Sequence, residues 1–390
     1  MNAITSEPIF SSEELGRNQD LKDALFELIS SEDAILFVGS GLSIPIGYPS
    51  WDALLVRLET LAQKVDSGFS PNQALRESSP LDYASSLRKI FEKADEATTY
   101  YNELTTIFSR PEQGPCFKDH HKKLVQLPFN LIMTTNYDPV LSEALLKSIQ
   151  ENNEPLRTDL CFSMNEDTIP QLSNFLLSLH KGMSNQKQIA HIHGYHDRPK
   201  EIILTKQDYE RYYFNRTSEK DGEQETTIHF LVLWALIATR RIVFFGFGMK
   251  DPYLLQLLED VRKRLWRWDK PTHINIASIC DKTASEVKSQ ATFLKEKYGV
   301  DTYFYENKDQ THKQLEVLIE ELYQSCCQLD DASKTDEKLQ QRTSSGNRAK
   351  ESKGIEEIIE DATGSATGEM PSWISSTNKK LNMDVKDENK

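Results

Sequence analysis

The chain has 390 residues, room for one large domain or two modest ones, and its 38% hydrophobic content fits a globular body that carries a polar appendage. A formal net charge of −14 argues against a general electrostatic affinity for nucleic acid, though not against a local basic patch. Five cysteines without a C-x-x-C pair suggest neither a cysteine zinc site nor a disulfide framework; with no secretory signal pattern and no bilayer-length apolar run, a soluble cytoplasmic protein is expected.

In chain order, Leu21, Leu25, Leu28 and Ile29 recur at helical spacing and predict a leading helix within residues 1–30. The apolar run Ile35 to Val38 then reads as a buried strand ending in the turn Gly39-Ser40-Gly41-Leu42-Ser43. Two glycines permit backbone conformations that a side chain would forbid. Amides freed there, with a following helix N-terminus, would seat a phosphate. The third glycine of the common dinucleotide fingerprint is missing and Ser43 stands near its place. A plain strand–turn–helix connection would use the same glycines.

Further strands are predicted at 130–135, 189–193, 241–245, 273–279 and 302–305, with helices between them at 139–147 and 229–239. Continuous apolar strands alternating with helices imply an α/β fold, a Rossmann-like and mostly parallel sheet with helices on both faces. The stretches near 52–127 and 145–187 exceed simple crossovers and read as large, mainly helical insertions suited to a lid or an assembly surface. Together these form one body over 31–329. From 330 to 390 Lys, Glu, Ser, Thr and Gln dominate, so disorder is expected, with 354–359 and 371–374 as candidate docking peptides.

Polar clusters close several strands: Thr134-Thr-Asn-Tyr-Asp138, then His193-Gly194 within His191-Ile-His-Gly-Tyr-His-Asp197, then Gly246-Phe-Gly-Met-Lys-Asp251-Pro252. In an open α/β sheet ligands bind outside the carboxyl ends of the strands, where these clusters and the 39–43 turn would converge. Each alone has an ordinary explanation: Asn136 or Asp138 could cap the next helix, and His193 could be hydrogen-bonded in the core. His191, two residues earlier and on the same face of a strand, is a weaker second candidate, and His196 reads as a loop residue.

The order Gly-Ser-Gly-x-Ser, Thr-Thr-Asn-Tyr-Asp, His-Gly and Gly-Phe-Gly-x-x-Asp-Pro resembles the sirtuin (silent-information-regulator-like) superfamily, and is closer to the sirtuin-like domains of bacterial antiphage defence than to deacetylases. Pro45 to Trp51 and Ile203 to Tyr209 add to the resemblance, which runs from about 35 to 305. It implies a fold that binds NAD. Gly39, Ser40, Gly41 and Ser43 would cradle the diphosphate, Asn136 would lie beside the nicotinamide ribose and position the nucleophile, and Asp138 would hold the nicotinamide end. His193 would be the catalytic histidine beside the ribose hydroxyls. Gly246, Gly248 and Asp251 would contact the adenosine side.

Those residue types suit cleavage of the nicotinamide–ribose bond, whose transition state resembles an oxocarbenium ion and demands orientation, water control and a base near neutrality. The four-cysteine zinc module of sirtuin deacetylases has no counterpart here, so no metal is expected and water becomes the favoured acceptor. The resemblance therefore implies hydrolysis of NAD+ to ADP-ribose and nicotinamide by an antiphage effector that depletes the cell's NAD+. It further implies a homo-oligomer paired with a HerA-type hexameric ATPase, or alternatively a prokaryotic Argonaute setting. A non-catalytic NAD or ADP-ribose sensor, and an NAD-dependent deacylase or ADP-ribosyltransferase, are the competing readings; a two-metal nuclease lacks the carboxylates. The basic, aromatic run Arg262 to Trp268 reads as a half-buried helix surface, and adjacent Cys326 and Cys327 as packing residues.

Overall fold

A computed structural model describes residues 10–328, apart from short stretches at 11, 32–33, 113, 130, 156–159, 166–167, 178–186, 214–215, 218–223, 226, 266–272, 280–282 and 309–310. The polar segment 330–390, with both candidate docking peptides, lies outside the described residues, as do Trp266 and Trp268.

The strands are β1 (Ala34–Val38), β2 (Leu131–Thr134), β3 (Cys161–Ser163), β4 (Ile189–His191), β5 (Arg216–Thr217), β6 (Gln224–Glu225), β7 (Arg241–Phe245), β8 (His273–Ile279) and β9 (Val300–Glu306). Seven of them form one parallel sheet in the order β3-β4-β2-β1-β7-β8-β9, while β5 and β6 make a separate antiparallel pair. The chain builds outward from β1 to one edge, then crosses back to add β7 on β1's other side. That reversal of direction is the topological switch point at which doubly wound sheets bind ligands.

The helices are α1 (Ser12–Ser30), α2 (Trp51–Val65), α3 (Gln73–Ser78), α4 (Pro80–Lys93), α5 (Ala97–Phe108), α6 (Asp119–Gln126), α7 (Val140–Glu151), α8 (Ile169–Leu177), α9 (Lys206–Tyr213), α10 (Ile228–Thr239), α11 (Pro252–Arg264) and α12 (Ala284–Tyr298), with α13 over 313–328. All five residues of β1 are buried, and alternate ones enter different cores. Ile35 and Phe37 join Met133, Phe244, Leu233 and Leu257 on the face covered by α10 and α11. Ala34, Leu36 and Val38 join Leu25, Leu28, Ile29, Leu124, Leu145 and Leu318 under α1, α6, α7 and α13. Two covered faces explain why β1, β2 and β7 read as unbroken apolar runs rather than alternating ones.

Residues 52–127 are mainly helical, as the sequence reading has it, and α2, α4 and α5 enclose a third core around Leu54, Leu58, Tyr83, Leu87, Phe91 and Leu104. Tyr137, Val140, Ile202 and Leu204 share that core, so the insertion packs directly on the loops after β2 and β4. The stretch 145–187 adds one element to its mainly helical reading. It contains the end of α7 and α8, but between them strand β3 pairs with β4 at the sheet edge. Three residues with one partner strand are too few to show a period. Strand β4 is also shorter than read, ending at His191. Gly194 turns the chain there at φ +89°, where a Cβ would stand 2.6 Å from the Glu201 carbonyl oxygen.

Candidate functional site

The loops after β1, β2, β4 and β7 open into one cleft of about 670 Å3, lined by Ser40, Ser43, Asn136, Asp138, His193, Gly248 and Asp251 on the sheet side. Trp51, Leu54, Leu81, Asp82 and Phe108 of the helical insertion line it opposite, and Lys206, Tyr209 and Tyr253 line it beside His193. The volume falls in the range of small-molecule sites. The insertion wall is held to the body by Arg88, 2.7 Å from Asp208, whose other oxygen accepts from the Thr205 amide and hydroxyl at the start of α9.

After β1 the chain makes two short 3-10 turns, Ser40–Leu42 and Ile44–Ile46, and α2 begins only at Trp51, where the Ser50 hydroxyl accepts from the Ala53 amide. No long helix therefore starts at the glycine turn. The Gly39 and Gly41 amides are also engaged, donating to the Phe245 and Gly246 carbonyls at 2.9 Å each. A Cβ on Gly39 would stand 2.7 Å from Gly246 O and from Phe247 Cα, and one on Gly41 2.8 Å from Gly246 O. Gly39, Gly41 and Gly246 thus form a backbone-on-backbone seam between the β1 and β7 loops. They sit behind the cleft, while Ser40, Ser43 and Gly248 reach it.

Gly246 has φ +61°, and a Cβ there would meet the Leu42 amide nitrogen at 2.7 Å, whereas one on Gly248 would find nothing nearer than the Lys250 side chain at 3.9 Å. Gly246→Ala is expected to cost about 2 kcal/mol or more from strain and clash combined. Gly248→Ala is expected to stay within about 0.5 kcal/mol. Thermal unfolding of both variants decides the matter, and equal midpoints would show that the seam carries no steric demand.

Asn136 joins the β2 loop to the glycine turn. Its Nδ2 donates to the Gly39 carbonyl at 3.1 Å and to Ser43 Oγ at 3.0 Å, and its own amide donates to Thr134 Oγ1. Gly39 O can only accept, which fixes the amide's orientation and leaves Oδ1 as the end available to a ligand. Ser43, itself buried, also hydrogen-bonds Asp138. Asp138 Oδ1 accepts from the Val140 amide, the first of α7, at 3.1 Å from one residue before the cap position at Pro139, and burial pushes its carboxyl up to about 6.

The two histidines read as sharing a strand face do different work, because the strand ends between them. His191 Nδ1 donates to the Asn136 carbonyl at 2.8 Å and braces the β2 loop from below. His193 lies past the strand, 3% exposed, with Nε2 2.8 Å from the Tyr213 hydroxyl and 3.7 Å from Asp251 Oδ2. Burial lowers its pKa to about 3, so the ring is neutral at physiological pH. His196 is half-buried in the loop beyond, as expected.

Asp251, read as an adenosine contact, stands beside His193. Its Oδ1 caps α11 by accepting from the Tyr253 and Leu254 amides, and its Oδ2 accepts from the Tyr209 hydroxyl at 2.9 Å. Tyr209 and Tyr213 are site residues that sequence reasoning missed. They lie four apart on α9 and so share a face, a spacing that ordinarily marks core packing. The basic run ending α11 is paired on the surface: Lys263 with Glu259, Arg264 with Asp260, and Arg262 Nε with the Glu296 carbonyl. Among the described residues no three His, Cys, Asp or Glu side chains gather as metal ligands, and no helix is long and apolar enough to cross a membrane.

Residues 130–303 match the family model described as SIR2-like domain. Three curated proteins named NAD(+) hydrolase ThsA are similar to the chain. The one from Bacillus cereus (strain MSX-D12) is 27% identical over 242 residues, covering 62% of this chain and 42% of the relative. The one from Enterococcus faecium is 24% identical over 292 residues, covering 70% and 48%, and the one from Acinetobacter baumannii (strain 532279) 24% over 246 residues, covering 62% and 41%. The chain thus spans less than half the length of these relatives.

Proposed function

We propose that this chain, which carries a SIR2-like domain over residues 130–303, is an NAD+ glycohydrolase that takes NAD+ and water to ADP-ribose, nicotinamide and a proton. The observation that carries the reading is the convergence of Asn136, Asp138, Ser43 and His193 on one cleft at the sheet's switch point. The relatives named as NAD(+) hydrolases support the same reaction.

The bond between ribose C1′ and the pyridinium nitrogen breaks with its electron pair going to nicotinamide, which neutralises the ring's positive charge. Water forms the new bond at C1′ and loses a proton. Asn136 Oδ1 orients that water or a ribose hydroxyl, its Nδ2 being held by Gly39 and Ser43. His193, whose pKa burial takes to about 3 and so well below the near-neutral base read from the sequence, keeps one unprotonated ring nitrogen for the proton, Nε2, on which the Tyr213 hydroxyl now rests at 2.8 Å. Ser40 and Ser43, with the turn they belong to, would hold the diphosphate, and Asp138 the nicotinamide end. Gly248 would face the adenosine side, with Gly39, Gly41 and Gly246 shaping the loops behind.

Beyond the reaction, we place the enzyme in the cytoplasm as the NAD+-depleting effector of an antiphage system. It would act as a homo-oligomer controlled by a HerA-type hexameric ATPase, with an Argonaute setting as the alternative. The similarity to sirtuin-like defence proteins supports this, and an NADase left unrestrained would kill its own host. The test is to incubate the purified protein with NAD+, alone and with the candidate ATPase, and quantify NAD+ loss against ADP-ribose and nicotinamide formed. Stoichiometric ADP-ribose supports hydrolysis, and dependence on the ATPase locates its control. Binding of NAD+ without turnover in either condition would replace the hydrolase by a sensor. ADP-ribose found on protein instead of free would make it a transferase.

A further inference from the structure

The geometry points to Asp251 and Tyr209 as positioning residues for His193, holding its imidazole in one tautomer and facing it with a negative charge when it takes up a proton. The inference rests on the hydrolase reading for its kinetic consequence, but the arrangement itself is built from this chain's own side chains.

The hydrogen bonds run in one direction. Tyr209 has a single hydroxyl proton and gives it to Asp251 Oδ2 at 2.9 Å. Toward His193 Nδ1, 3.5 Å away, the same oxygen is therefore an acceptor, which places the ring hydrogen on Nδ1. Nε2 then carries the lone pair and accepts from the Tyr213 hydroxyl at 2.8 Å. Nε2 also lies 3.7 Å from Asp251 Oδ2, so a proton arriving on Nε2 meets a carboxylate. A buried imidazolium without a counter-charge would be strongly disfavoured. The His229 ring, 4.8 Å from that of Tyr213, offers no such charge because burial lowers its pKa to about 3.

Asp251 is itself fixed. Its Oδ1 is held by the Tyr253 and Leu254 amides at the positive end of α11, and Pro252 follows it at the first helical position. Tyr209 is fixed as well, in a cluster with Tyr213 and Tyr253 whose ring centroids lie 5.5 and 4.7 Å from its own and 5.8 Å from each other. A carboxylate, a phenol and an imidazole locked in series resemble the orienting part of a catalytic triad, with a tyrosine between acid and base. This role differs from a contact to the nucleotide, and the two make opposite kinetic predictions.

Asp251→Asn keeps an oxygen to cap α11 while removing the charge, and Tyr209→Phe removes only the hydroxyl. Under the condition in which the wild type turns over, kcat is expected to fall about 100-fold in Asp251→Asn and about 10-fold in Tyr209→Phe, portions of what a positioned acid–base group contributes. Binding of the non-hydrolysable analogue carba-NAD should stay within about 3-fold of wild type, since neither residue is assigned to the ligand. Unchanged kcat in both variants, or analogue binding lost in step with kcat, overturns the inference. A second readout needs no turnover: the ring nitrogen shifts of His193 in 15N-histidine-labelled protein, assigned with His193→Gln. They should report a single Nδ1–H tautomer in the wild type and a mixture in Tyr209→Phe. Identical shifts in the two proteins would overturn the arrangement, whereas absent wild-type turnover with the expected shifts would sink the hydrolase reading alone.

Discussion

Asn136→Asp is expected to abolish turnover as completely as Asn136→Ala, although it changes one nitrogen to oxygen. Nδ2 supplies both hydrogens that hold the site's two loops together, one to Gly39 O and one to Ser43 Oγ. In the aspartate variant an acceptor oxygen faces the Gly39 carbonyl, another acceptor, with Asn136's place only 6% exposed. Ser43 could turn its proton toward the new carboxylate only by releasing Asp138, which its hydroxyl now contacts. Leaving buried groups without partners costs about 1–3 kcal/mol each, so the variant should also lose thermal stability. On activity, loss of the oriented amide is worth about 1,000-fold in kcat, the upper part of the range for a preorganised polar group. Turnover and unfolding midpoint measured on the same preparation check both effects. An aspartate variant within tenfold of wild type would show that the bonds made by Nδ2 do not set the geometry of the site.

The same residues show what the sequence made legible. The strands β1, β2 and β7 are apolar throughout because both faces are covered, and each ends abruptly in glycine, threonine or asparagine. Those breaks placed the loops that form the cleft. What the glycines do there was not legible. Gly-x-Gly after a strand reads equally as a phosphate seat or a tight turn, and only the 2.7 Å approach to Gly246 and Phe247 shows a seam between loops two hundred residues apart in the chain. The pair Tyr209 and Tyr213 was hidden for a different reason: two aromatics one helical turn apart look the same whether they pack a core or clamp a histidine. Strand β3 is hidden by its length. The insertion's helices carry a clear period, yet its placement depends on Leu54 and Tyr83 sharing one core with Tyr137 and Ile202, which no local pattern encodes.

Burial of neutral histidines makes the fold acid-sensitive, and the sign can be worked through. His121, His191, His193, His229 and His273 are between 0% and 3% exposed, and burial lowers each from 6.5 to about 3, or about 4 for His191. Below pH 6.5 the unfolded chain takes up protons that the folded chain refuses, so stability falls as pH falls toward 4 and levels off only below the folded values. At pH 5.5 each of the four histidines without a facing carboxylate among the described residues costs about 1.4 kcal/mol by this linkage, and His193 costs less because Asp251 stands 3.7 Å from its Nε2. Asp138 works in the opposite direction: raised to about 6, it binds a proton in the folded state first and returns a part of the loss. The net is on the order of 5 kcal/mol between pH 7.5 and 5.5, or a drop of about 8 °C in the unfolding midpoint for a unit of this size. A midpoint that stays level over that range would mean the histidines reach solvent or find counter-charges when protonated. Activity separates the two effects of acid. His193 keeps its lone pair down to about pH 3, so a fall in turnover per folded molecule at pH 5.5 is expected to come from protonation of the Asp138 carboxyl, raised to about 6, and not from titration of the histidine.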